Sequence, residues 1–169
     1  MIAFVRNHTK RGGKMRADAE EKIYRINCLT EEIDAIYHQA AVKFGVSDSV
    51  LLILYMLYTK NGRRLLPNIY KTSGISKQTV NSAIRKLEKE EIVYLENYDG
   101  KSKIVCLTEK GKAYAAQTAG KLFAAECELF NDWKEEEIDQ YLKMMEKYNT
   151  SLRNQIGKIP GKGEGKNEE

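Results

Sequence analysis

The chemistry in this chain is concentrated between Ser76 and Lys89, in Ser76-Lys77-Gln78-Thr79-Val80-Asn81-Ser82-Ala83-Ile84-Arg85-Lys86-Leu87-Glu88-Lys89. Take Val80 as the inward direction of a helix and advance about 100° per residue. Ile84 and Leu87 then fall near it, while Gln78, Ser82, Arg85 and Lys89 fall nearly opposite, with Asn81 and Lys86 on the flanks. The outward face therefore holds amides, a hydroxyl, an arginine and lysines, the groups that hydrogen-bond base edges and phosphates. Arg85 is the only arginine on that face and can pair with guanine O6 and N7. Asn81 and Gln78 are the candidates for adenine. Ser76, Lys77 and Thr79 complete the candidate set at the start of the helix. A merely solvated helix carries Glu/Lys pairs throughout, and here they gather only at the end, Glu88 to Glu91.

Such a helix needs a body behind it, and the flanking sequence supplies one. Ile23, Ile26, Leu29, Ile33, Ile36, Ala40 and Phe44 recur at steps of three and four residues, the period of an amphipathic helix from Ala17 to Phe44. Asp18 with Glu21 reads as its capping box. Ser47 caps a second helix, Asp48 to Thr59, that is apolar all round and so belongs in the centre of the fold. Asn61-Gly62 ends it. Pro67 suits the first turn of a short helix to Ser73, Gly74-Ile75 is a tight turn, and Ser76 caps the next helix, Lys77 to about Glu91.

The pattern then turns to β. Ile92–Leu95 and Ile104–Leu107 flank Tyr98-Asp99-Gly100-Lys101, a hairpin signal. Lys101, Ser102 and Lys103 near its tip are candidate DNA contacts. Thr108 caps a long helix to about Asn131, whose buried stripe would include Ala113, Ala116, Gly120, Phe123, Cys127 and Phe130. A last helix runs from Lys134 to about Ile156. The fold class expected is mostly α with a small β-hairpin, in the order of a winged helix-turn-helix.

Ile75-Ser76-Lys77-Gln78-Thr79-Val80, followed by Ile84, Leu87-Glu88-Lys89 and Ile92-Val93, resembles the recognition-helix segment of the multiple-antibiotic-resistance regulator (MarR) family. Leu107-Thr108-Glu109-Lys110-Gly111 resembles the end of that family's wing and the start of its next helix. The resemblance implies a DNA-binding homodimer whose first and last helices interleave and whose winged domains read two half-sites. It also implies a crevice for small aromatic effectors, for which Tyr37, His38, Tyr55, Tyr58 and Phe123 are the candidates. Three departures stand out. Tyr70 replaces a small residue in the turn helix. Lys101 stands where the family has a wing arginine, and lysine lacks its bidentate fork. Glu90-Glu91 replaces a frequent Lys-Gly before the hairpin.

On this reading residues 17–46 and 112–156 make a helical dimerisation region and residues 47–111 the winged DNA-binding domain. Residues 157–169 form a disordered tail. Residues 1–16 form a leader or arm. Lys10-Arg11-Gly12-Gly13-Lys14 can be encoded by a purine run resembling a bacterial ribosome-binding site, so translation is expected to start at Met15; mass spectrometry of the native N-terminus tests this. The last helix sets Ile138, Leu142, Met145, Tyr148, Leu152 and Ile156 in one row, and the first sets Ile23, Ile26 and Leu29. A soluble monomer does not usually expose such stripes, so they are the candidate dimer interface.

Charge follows the same division. Residues 60–112 carry twelve positive and six negative charges, between arms in which acidic residues outnumber basic ones, seven to three over 17–59 and eight to five over 113–156. A basic middle suits a polyanion partner. The longest apolar run, Val50 to Tyr58, falls short of the roughly 20 residues of a membrane span. Cys28, Cys106 and Cys127 form neither a disulfide framework nor a metal-ligand spacing, so a reducing cytoplasm is expected. Cys106 and Cys127 read as small core residues. Cys28 lies in the helix where related organic-hydroperoxide sensors carry a reactive cysteine, although the matching position here is Ile23. With only His8 and His38 and no nucleophile, base and metal set, an enzyme, a metal site or a cofactor is not expected. The function expected is a sequence-specific, ligand-responsive repressor. A winged-helix protein-interaction module and a cysteine-based redox regulator are the alternatives.

Overall fold

The computed structural model describes residues 13–161, with side chains from residue 17. Ten elements follow in order: α1 (Gly13–Lys43), α2 (Asp48–Tyr58), β1 (Arg63–Leu65), α3 (Leu66–Thr72), α4 (Lys77–Lys89), β2 (Val93–Asn97), β3 (Lys103–Leu107), α5 (Glu109–Gln117), α6 (Ala119–Glu128) and α7 (Glu135–Ile156). They form two compact units, one up to Lys121 and the other from Leu122. The N-terminal arm, with its alternative start, falls mostly outside the described residues, as do residues 162–169 of the tail.

The first unit is built on α2. Its nearly unbroken apolar sequence leaves no polar face, so burial on all sides is the low-energy arrangement. Val50, Ile53, Leu54 and Leu57 are almost fully enclosed. Ser47 caps it, its side chain accepting from the Val50 N–H. The helix stops where Asn61 and Gly62 both take positive φ, 54° and 76°. The Gly62 N–H reaches back to the Leu57 carbonyl at 2.8 Å.

Against α2 lies a three-stranded antiparallel sheet in the order β1-β3-β2. Arg63 pairs with Cys106 and Leu65 with Ile104, while Val93 pairs with Leu107 and Asn97 with Lys103. The strand β1 had no counterpart in the sequence reading. Three residues are too few to show an alternating pattern. The sheet turns Val93, Val105 and Leu107 into the core, and Cys106 is buried as well.

Several sequence expectations are corrected. The first helix starts at Gly13, so Asp18 is an interior residue that pairs with Lys22 at 2.7 Å and caps nothing. The long helix from Thr108 is two helices, α5 and α6, broken at Thr118 (φ −115°, ψ −88°). The buried face of this stretch is Gly111, Ala115, Thr118, Ala119 and Gly120; Ala113 and Ala116 are exposed. The break brings Gly120 against Tyr58 so closely that a Cβ would lie 2.9 Å from the phenol ring. Cys127 is exposed, not core, whereas Cys106 is buried as expected.

In the second unit α7 begins with Glu137 accepting from the Lys134 N–H at 2.9 Å. Phe130, Trp133 and Tyr141 stack edge to face at centroid distances of 5.4 and 5.7 Å. No residue of α7 is buried.

Candidate nucleic-acid interface

The helix α4 is fixed from two sides. Val80, Ala83, Ile84 and Leu87 bury its inner face. At its start the Ser76 side chain accepts from the Thr79 N–H at 3.0 Å, and the two hydroxyls lie 2.8 Å apart. Ser76 and Thr79 therefore have a helix-capping task already, one that stabilises a helix by about 1 kcal/mol. The short helix α3 supports α4 through buried Ile69, and Gly74, at φ 70°, makes the turn between the two.

The outward face matches the sequence reading. Gln78, Ser82, Arg85, Lys86 and Lys89 are all exposed, as is Lys77. The three arginines nearby differ in what they hold. Arg63 donates to Glu96 Oε2 at 2.8 Å, and Arg64 to the Thr72 hydroxyl at 2.9 Å. Among the described residues Arg85 has no hydrogen bond and no ion pair, so its fork is available.

Asn81 is different. It is half-buried, and its Oδ1 accepts a 2.6 Å hydrogen bond from the Tyr70 hydroxyl of α3. The Lys77 ammonium sits 5.6 Å from the centroid of the same ring. Sequence reasoning marked Tyr70 as out of place but missed its partner; the signal was an aromatic hydroxyl where a small residue was expected.

The wing is closed by Asp99. Its Oδ1 accepts from the Ser102 N–H at 2.6 Å and the Lys101 N–H at 3.0 Å, around Gly100 at φ 76°. These two N–H groups, Ser102 first, hold the Asp99 carboxyl below its usual pKa. Lys101 and Lys103 are exposed on either side of half-buried Ser102. Below them a cross-strand cluster stiffens the sheet: the Cys106 thiol lies 3.6 Å from the Glu96 carboxylate that Arg63 also grips. Burial, then the hydrogen bond to Glu96, pushes the Cys106 thiol up in pKa.

The remaining candidates are spread over other elements. His38 Nδ1 lies 3.0 Å from Asp48 Oδ1, joining α1 to α2 at the surface. Tyr37 is exposed, Tyr55 half-buried, and Tyr58 packs on Gly120. Phe123 is exposed and belongs to the second unit. Cys28 is half-buried beside Tyr24, whose hydroxyl it raises in pKa through a hydrogen bond. Ile23, Ile26 and Leu29 on α1 are exposed, as are Leu142, Met145, Tyr148, Leu152 and Ile156 on α7; Ile138 is half-buried. Among the described residues no single helix is long and apolar enough to cross a membrane.

No family model and no curated protein matches the sequence. Solved structures do match the fold. A MarR family regulator from Neisseria meningitidis aligns with a TM-score of 0.71 at 18% identity, over 80% of this chain and 96% of its own. A putative MarR family transcriptional regulator from Listeria monocytogenes, complexed with a 26mer DNA, aligns at 0.63 and 16% identity, over 82% of this chain and 97% of its own. The MepR–DNA complex of S. aureus aligns at 0.60 and 22% identity, over 76% and 96%. At such identities the likeness is one of fold: this chain has the winged-helix fold of the MarR family regulators.

Proposed function

We propose that the protein, with this winged-helix fold, is a homodimeric, sequence-specific DNA-binding transcription regulator of bacterial cytoplasm, a ligand-responsive repressor acting on a pseudo-palindromic operator. The observation that carries the reading is Arg85. It is a solvent-exposed, unengaged arginine on the outer face of a helix whose inner face is buried and whose start is capped. Two solved structures of the same fold are DNA complexes, which supports the same use of α4 here.

In this mechanism α4 enters a major groove, with Arg85 pairing to guanine and Gln78 offering a second amide contact. Lys77, Ser82, Lys86 and Lys89 serve neighbouring edges and phosphates. Lys101, Ser102 and Lys103 grip the backbone or minor groove from the wing. As point charges, the lysines position the protein more than they read sequence. The exposed stripes of α1 and α7 pack across a two-fold axis in the dimer, spacing two copies of α4 for successive half-sites. Tyr37, His38, Tyr55 and Tyr58, on the first two helices, are the residues offered to a small aromatic effector.

Selection of bound fragments from the source genome, followed by footprinting, tests the proposal. The expected result is a protected pseudo-palindrome upstream of a gene. Fragments enriched without a common sequence would contradict it and leave the winged helix as a module for protein contacts.

A further inference from the structure

Resting on the reading that α4 enters a major groove, we propose that Tyr70 sets the base read by Asn81. It holds the carboxamide oxygen towards α3 and leaves the amino group to donate, so Asn81 favours an acceptor-only base edge, guanine or thymine, over adenine.

Tyr70 OH to Asn81 Oδ1 is 2.6 Å, part-buried, and bridges α3 to α4. At that length it is a short O–H···O bond. The ring that carries the hydroxyl is itself held. Its neighbour Ile69 is fully buried, and the Lys77 ammonium lies 5.6 Å from the ring centroid, within reach of a cation–π contact. On α4, Val80 beside Asn81 is also fully buried. The backbone at each end of the bond is thus anchored next to a core residue.

An asparagine amide has one acceptor atom and one donor atom. Reading adenine takes both: the oxygen accepts from N6–H while the nitrogen donates to N7. Tyr70 occupies one of the two lone pairs of that oxygen and fixes its direction towards α3, which weakens the accepting half of that pair. The Nδ2 group remains to donate: guanine offers it two acceptors, N7 and O6, and thymine offers O4, whereas adenine offers N7 beside its own N6–H donor. Turning the amide over would make the tyrosine oxygen an acceptor and strand its own proton in a part-buried position, which costs free energy. Tyr70 is thus a positioning residue that acts through Asn81, and it biases a residue type that usually pairs with adenine towards donation.

The test is selection from a randomised duplex library by four proteins: wild type, Tyr70→Phe, Asn81→Ala and the double variant. Asn81→Ala identifies the operator position, as the one whose preference it relaxes. Wild type is expected to select guanine or thymine there. Tyr70→Phe keeps the ring under Lys77 and removes only the hydroxyl. It should raise adenine at that position about ten-fold, the scale of one bidentate contact. In the Asn81→Ala background the same change should do nothing. A merely structural tyrosine would alter affinity for all duplexes and leave base identity alone. Equal preferences in wild type and Tyr70→Phe would overturn the inference. So would adenine already favoured by wild type, a result that decides the matter even if Tyr70→Phe does not fold. A wild-type protein that enriches no sequence would instead overturn the DNA reading, and the inference with it.

Discussion

The backbone of Ile92 occupies the space a side chain at Gly111 would need. A Cβ built on Gly111 would overlap the Ile92 carbonyl oxygen and lie 2.9 Å from its carbonyl carbon. The same carbonyl accepts the Thr108 N–H at 3.0 Å, and the Thr108 hydroxyl donates to the Glu91 carbonyl at 2.7 Å while accepting from the Gly111 N–H at 2.9 Å. The end of α4, the start of β2 and the start of α5 therefore meet at one point. That junction fixes the wing relative to the outward face of α4.

Gly111→Ala should therefore destabilise the protein by about 1–3 kcal/mol, because the obstruction is backbone and cannot rotate away. Urea unfolding measures it. A variant within about 0.5 kcal/mol of wild type, the range of ordinary surface substitutions, would mean the junction yields freely.

Glu91 lies beside that junction with φ 58°. A left-handed conformation costs a non-glycine residue about 1–2 kcal/mol, and a glycine there gives back about 0.5–1 kcal/mol as unfolded-chain entropy. The Glu91 carboxylate is 3.9 Å from Lys110, an exposed pair worth little. Glu91→Gly is expected to stabilise by about 0.5–1 kcal/mol. A lower melting temperature would contradict the strain.

These two residues show what was legible beforehand. Gly111 stood in a motif whose resemblance was recognised, but its reason, a carbonyl 19 positions earlier in the sequence, belongs to tertiary packing. Glu91 reads as the last helical residue because the β-rich run begins at Ile92; only the backbone path shows the reversal. The outward face of α4 was legible because period and residue type agreed over the whole helix. Tyr70 on Asn81 and the strand β1 were not. The first is a contact between residues 11 positions apart on two helices. The second is too short for a pattern and exists because β3 has a free edge to pair.

The wing tip should respond to acid. Asp99 has a folded-state pKa below its ordinary 3.8. Its contribution to stability is then fully present above the unfolded value and is lost as pH falls through the folded one. Carboxyl carbon titration by NMR should give a midpoint below 3.8, with Asp99→Ala loosening the turn at neutral pH. A midpoint at or above 3.8 would show the two N–H contacts are not maintained in solution.

Arg85 and the wing lysines should fail differently. Arg85→Ala is expected to cost about 1–3 kcal/mol on the selected operator and to relax one base position. Lys101→Ala with Lys103→Ala should weaken all duplexes alike and reduce the magnitude of the salt slope by about one per lost phosphate contact. Competition assays across salt concentrations separate the two. Unchanged base preference in Arg85→Ala, or an unchanged slope in the double variant, would remove the corresponding assignment.

The central claim, a dimer that reads DNA, is tested most directly by sedimentation equilibrium of the protein at low micromolar concentration, alone and with its genome-selected duplex. Leu142 and Met145 on α7, 53% and 51% exposed, and Ile23 on α1, 47% exposed, leave apolar stripes that a soluble monomer would not keep in water. The account predicts the mass of two chains alone and of two chains per duplex in the complex. A folded protein with the mass of one chain, or a duplex that sediments unchanged beside it, would contradict the account.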